Sequence, residues 1–176
     1  MNKTEDTQGL GRLVSKLKKE DANYSRIIKS FQIVYVILTP LMLVLTIWEY
    51  LETKNLIHAI SGVCFVIALV LIVFGFRKLY KEYKYVDYSL PVVQMLRKAI
   101  LRWQPFRTKA TLIYLGVLLI DIGLTLERLD RYSIWETQIF YLGAIAIGAV
   151  IGLIWWYFQY KPMQDESKRL LSEIES

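Results

Sequence analysis

The sequence is poor in the residues on which soluble enzymes and secreted domains depend. It holds one cysteine and one histidine in 176 residues. A single cysteine, Cys64, cannot build a disulfide framework, and within an apolar run a thiol serves as a small packing residue. A single histidine, His58, excludes any multi-histidine metal site. Gly-x-Ser-x-Gly, His-Glu-x-x-His, Cys-x-x-Cys, Walker A and Gly-x-Gly-x-x-Gly motifs are all absent. That removes the common signatures of nucleophilic, zinc and phosphate chemistry. No cofactor, no metal and no catalytic residue is expected.

Charge is also scarce, but only locally. Ser30–Trp48, Asn55–Phe76 and Thr137–Tyr160 contain no Asp, Glu, Lys or Arg, and Ala110–Leu126 contains only Asp121. The second of these stretches, NLIHAISGVCFVIALVLIVFGF, suffices at ~1.5 Å per residue to cross a hydrocarbon layer of about 30 Å. A soluble fold rarely carries four such runs, because their helices would be apolar all round. The spacing predicts an all-α membrane protein, a single four-span domain over residues 1–176. Its spans are expected at about 27–48, 55–76, 110–128 and 134–160, paired as two antiparallel hairpins. No cleavable leader is expected, since the first apolar run begins near residue 30 and no small-residue cleavage site follows it.

What is present is a lopsided set of cations. The net charge is +6, with 22 Lys and Arg. Seven fall in residues 1–29, nine in 77–109 and three in 161–176, against one in 49–54 and two in 127–136. The positive-inside rule therefore predicts both termini in the cytoplasm and two short external turns. Because these cations flank the spans, they read as topology signals and lipid contacts rather than as a nucleic-acid surface. With no targeting peptide and so compact a chain, a bacterial inner membrane is the expected location.

Around the spans the sequence predicts cytoplasmic helices at about 10–26, 77–88, 90–104 and 163–175. Leu10, Leu13, Val14 and Leu17 recur at helical spacing among Arg12, Lys16, Lys18 and Lys19, which makes an amphipathic helix. It suits either the inner leaflet or the chain's own cytoplasmic helices. Ser89-Leu90-Pro91 stops one helix and starts another, with Ser as the expected cap and Pro in the first turn. Residues 77–104 thus read as a helical hairpin between the second and third spans. The tail from Met163, with Leu170, Leu171 and Ile174 on one face, is too short to fold except against a partner.

Four groups of residues stand out. Asp121 is an acid inside a span, which costs ~3 kcal/mol on insertion scales and marks either a pathway or a buried pair. Thr125 and Arg128 share its face, and Tyr141 and Ser61 lie at similar depth, so a polar clasp between helices is the first reading. Arg77, Lys78, Tyr80, Lys81, Tyr83 and Lys84 form an aromatic and basic collar for lipid or a partner. Ala144, Gly148 and Gly152 form a small-residue stripe for close packing within the chain, with a homo-oligomer as the alternative. Pro40 interrupts the first span and predicts a kink.

The functional expectation is a non-enzymatic membrane adaptor or regulatory subunit. Its cytoplasmic helices would engage a protein partner, anionic lipid or both. The alternative is a small transporter or a proton- or ion-conducting subunit that uses Asp121.

Overall fold

The computed structural model describes residues 3–104, 110–129 and 133–175, with side chains from residue 11 onward. The expected side-chain role of Leu10 lies outside the described residues. Six helices and no strand occur among them: α1 (Lys3–Thr53), α2 (Leu56–Lys84), α3 (Val92–Arg102), α4 (Thr111–Arg128), α5 (Ile134–Gln159) and α6 (Lys161–Glu175). Within α1, α2 and α5, three segments are long and apolar enough to cross a membrane, which is the make-up of an integral membrane protein.

The amphipathic segment and the first span are one unbroken helix, because nothing between residues 10 and 30 stops α1. Pro40 lies inside it. One residue earlier, the Thr39 hydroxyl donates to the Tyr35 carbonyl at 2.7 Å. The turn to α2 is tight. Lys54 takes a left-handed φ of 53°, and the Asn55 side chain caps α2 by accepting from the Ile57 amide at 2.9 Å.

Helix α2 is the centre of the bundle, with α1 on one side and α4 on the other. Phe76 stacks on Phe31 and Tyr35 of α1, with ring centroids 5.9 and 5.5 Å apart. Glycines let α4 come close on the other side. A side chain at Gly75 would meet Ile113, one at Gly116 would meet Ile72 and the Ala68 carbonyl, and one at Gly123 would meet Phe65. These pairings place rising numbers of α4 against falling numbers of α2, so the two helices run antiparallel along their length. Ser61 closes the far end by donating to the Gly123 carbonyl at 2.8 Å.

Among the described residues, the hydrogen bonds that fasten helix α5 lie near its ends. A capping box starts it, with the Ser133 hydroxyl accepting from the Glu136 amide and the Glu136 carboxylate accepting from the Ser133 amide. Tyr141 then donates to the Val117 carbonyl of α4 at 2.6 Å. At the other end Trp156 donates to the Trp103 carbonyl at 2.7 Å. Between these two fastenings α5 stands away from the bundle. Gly148 and Gly152 have open space where a side chain would be, and Ala144 is exposed. The expected close packing of Ala144, Gly148 and Gly152 inside the chain is therefore corrected.

The main hydrophobic core lies at one end of the bundle. Leu13, Leu17 and Ile28 of α1 meet Tyr83, Met95, Leu96, Ala99, Trp103, Tyr160, Met163 and Leu170. The leucines of the amphipathic segment thus pack on the chain's own helices, with Leu13 at 1% and Leu17 at 0% exposure. Helix α3 lies chiefly on α6 rather than back along the end of α2. The tail accordingly finds its partner within the chain, although Ile174 stays exposed. Ser89 does not cap α3. Its amide and hydroxyl bind the Asp87 carboxylate at 2.9 and 2.6 Å, and Pro91 occupies the cap position.

Candidate functional site

Apolar side chains are exposed along most of α1, α2 and α5, as a bilayer requires. The chemistry sits in three polar places, one at each end of the bundle and one within it.

The first is the polar layer built from the start of α1, the end of α2, α3 and α6. Arg102 reaches Asp21 with two guanidinium nitrogens, Nε at 3.1 Å and Nη2 at 2.6 Å. Tyr88 donates to the same carboxylate at 2.5 Å. Both ion-pair side chains are almost dry, at 6% and 2% exposure. Burial is the largest influence on Asp21 and raises its pKa, while Arg102 and Tyr88 pull it down. The same burial and the bond to Asp21 push the Tyr88 phenol up.

An aromatic cluster adjoins Arg102 through the next residue, Trp103. Trp103 stacks on Tyr160 at 4.4 Å and meets Tyr83 and Tyr24 edge-on at 5.3 and 5.6 Å. Tyr83 donates to the Arg102 carbonyl at 2.9 Å and is buried. It is therefore a core residue and not part of the lipid or partner surface expected from the sequence. Its spacing on the Phe76–Tyr80 stripe concealed this, because an interfacial tyrosine and a core tyrosine look alike in sequence. The remaining collar residues do face outward. Arg77, Lys78, Lys81 and Lys84 are exposed, and Tyr80 is half-buried beneath Lys84, whose Nζ is 5.3 Å from the ring. Arg26 and Lys29 of α1 are exposed at the same level, between the Tyr24–Tyr83 contact and the Phe31–Phe76 stack.

The second place is Asp121. Its partner is a residue the sequence did not single out. Gln138 of α5 donates through one side-chain nitrogen to Asp121 Oδ1 and Thr125 Oγ1, both at 2.9 Å. Tyr141 and Ser61 lie nearby but serve backbone carbonyls, those of Val117 and Gly123. They are not the hydrogen-bond partners of Asp121 that their similar depth suggested. Arg128 is half-buried at the end of α4. The arrangement is a polar clasp between α4 and α5, in which the half-buried acid has a donor.

The third place is the opposite end of the bundle, where Glu49, His58 and Glu127 converge from three helices. Sequence reading passed over it because each helix contributes a single ligand. Spacing along one chain segment cannot show such a group.

Comparison with family models, curated proteins and solved structures gives no match to this chain.

Proposed function

We propose that the chain is a non-enzymatic integral membrane adaptor or regulatory subunit whose cytoplasmic helical layer binds a protein partner, with its basic collar on anionic lipid. In this reading the protein sits in a bacterial inner membrane with both termini cytoplasmic. Four crossings are part of this reading, and the antiparallel contact of α4 with α2 from Gly75 to Ser61 supports them. At 18 residues and ~1.5 Å each, α4 extends about 27 Å.

The observation that carries this reading is the Asp21–Arg102–Tyr88 cluster. It fixes α3 and the turn after α2 to the base of α1, so the layer is a rigid platform and not a set of loose tails. Rigid presentation lowers the ordering cost of binding. Outside the core, α3 and α6 show solvent mixed charge, including Arg97, Lys98, Asp165, Lys168 and Arg169. Arg26, Lys29, Arg77, Lys78, Lys81 and Lys84 ring the membrane end of this platform, where each cation near an anionic surface is worth about 1 kcal/mol. The pairing of Asp121 with Gln138 favours a structural clasp over transport through that acid.

The test is purification in mild detergent, with identification of co-purifying proteins, for the native chain and for Lys78→Glu, Lys81→Glu, Lys84→Glu combined. Loss of a specific co-purifying protein, or weaker retention of anionic lipid, supports the reading. Unchanged protein partners and unchanged lipid together reject it.

A further inference from the structure

The end of the bundle away from the polar layer joins side chains from three helices. Glu49 stands near the end of α1, His58 in the first turn of α2 and Glu127 in the last turn of α4. His58 Nδ1 lies 3.2 Å from Glu127 Oε1 and 3.6 Å from Glu49 Oε1. All three ligating atoms fall within 4.8 Å of one another. Their side chains are partly open to solvent, at 21% for His58, 44% for Glu49 and 35% for Glu127.

We propose that Glu49, His58 and Glu127 form a binding site for a divalent transition-metal ion of the Zn2+ class, which ties the α1–α2 turn to the end of α4. The geometry is close to what such an ion needs. Bonds of about 2.0–2.1 Å in a tetrahedral site place neighbouring ligands about 3.3–3.4 Å apart. The two edges at His58, 3.2 and 3.6 Å, bracket that value, and the Glu49–Glu127 edge lies within 4.8 Å. Closure then needs the two carboxylates to draw together by rotamer adjustment.

The ligand chemistry narrows the ion. An imidazole with two carboxylates suits Zn2+ and its first-row neighbours, whereas Ca2+ and Mg2+ favour all-oxygen shells. Two carboxylates and a neutral imidazole cancel the charge of a divalent ion. The carbonyl ends of α1 and α4 terminate here and favour a cation, an effect partly offset by the amino end of α2.

Three protein ligands leave a coordination position free, the pattern of an open zinc site. A cavity of about 340 Å³ lies next to it, lined by Glu49, Glu52 and Glu127 together with Thr46, Gly62 and Phe65. That space admits a water or the Glu52 carboxylate as the fourth ligand. The competing account is metal-free, with a protonated His58 shared between two glutamates.

These accounts separate in the full-length protein held in detergent micelles. After chelator treatment, calorimetric titration with Zn2+ is expected to show one ion per chain, and Co2+ to give the visible bands of a tetrahedral site. His58→Ala and Glu127→Gln should each weaken Zn2+ binding by more than about 100-fold, the upper end of what loss of an outer-shell partner costs. A readout independent of any variant comes from His58 being the sole histidine. Its imidazole gives one set of 15N signals, and stoichiometric Zn2+ should shift Nδ1 as the ligating nitrogen. Unmoved imidazole signals overturn the proposal. Equal binding by the native chain and both variants, the mark of an adventitious ion only, also overturns it.

Discussion

Arg102 grips Asp21 across 81 residues of sequence, with both side chains nearly excluded from water. Taking two charges out of water costs several kcal/mol each, and their attraction repays this only with good geometry and further hydrogen bonds. The two-pronged contact and the Tyr88 hydroxyl supply those bonds. A bond of this kind specifies which helices meet more than it adds to net stability. Here it ties the base of α1 to the end of α3, which itself packs chiefly on α6.

Removing one partner should therefore cost far more than removing both. Asp21→Ala leaves a buried guanidinium without its counter-ion and should destabilise the layer by about 3–5 kcal/mol. Asp21→Leu combined with Arg102→Met replaces the pair by apolar volume and should recover most of that loss. Thermal unfolding in detergent, followed by tryptophan fluorescence from Trp103 and Trp156, reads both. A double variant as unstable as the single one refutes the argument.

The same pair fixes the sign of a pH effect. Burial raises the pKa of Asp21 above that of the unfolded chain, so the folded state holds the proton more tightly. Its contribution to stability is complete below the ordinary carboxylate value of about 3.9 and declines as pH rises through the raised value. Asp87 behaves oppositely. Hydrogen bonds from Ser89 lower its pKa, so its contribution is present above the unfolded value and disappears as pH falls through the lower, folded value. Comparing melting temperature against pH for the native chain and Asp21→Asn isolates the Asp21 part. The difference between the two curves should fall from acid toward neutral pH.

At Asp121 the prediction concerns its donor. Asp121→Asn keeps an oxygen to accept from Gln138, so the clasp should survive with a change below about 0.6 kcal/mol, the mean for hydrogen bonds between membrane helices. Gln138→Leu removes the donor to both Asp121 and Thr125. It leaves two half-buried acceptors without that donor, at a cost of about 1 kcal/mol. Unfolding in mixed micelles ranks the two variants. The opposite order would mean that Asp121 takes its main support elsewhere.

Much of this molecule was legible because hydrophobic runs and charge breaks are one-dimensional signals. The apolar stretches became α1, α2, α4 and α5, and the short amphipathic pattern put Leu13 and Leu17 on one face without deciding between lipid and the chain's own helices. What could not be read were pairings between distant residues. Nothing near Asp21 in sequence points to Arg102, and nothing near Asp121 points to Gln138. Tyr83 was misplaced for the same reason, since an aromatic beside lysines suits a headgroup collar until Trp103 and Tyr24 enclose it. The small-residue stripe on α5 misled in the other direction. Glycine permits close approach without supplying the neighbour, and among the described residues the hydrogen bonds that fasten α5 lie near its ends.

Glycines on α4 and α5 should consequently respond in opposite ways to the same change. A Cβ at Gly116 would lie 2.6 Å from Ile72 Cγ1 and 2.9 Å from the Ala68 carbonyl oxygen. The side chain can rotate, but the backbone oxygen on α2 cannot move without separating the helices. Gly116→Ala should therefore lose about 1–3 kcal/mol through overpacking. Gly148 and Gly152 have nothing within 4 Å of that position, and alanine is the better helix former by about 1 kcal/mol. Gly148→Ala and Gly152→Ala should be neutral to stabilising in the isolated chain. Unfolding measured at low protein-to-detergent ratio gives the monomer value. If the α5 variants lose stability only when the protein is concentrated in the micelle, a second copy of the chain covers that face; if they lose it at every ratio, α5 packs on its own bundle more closely than these distances allow.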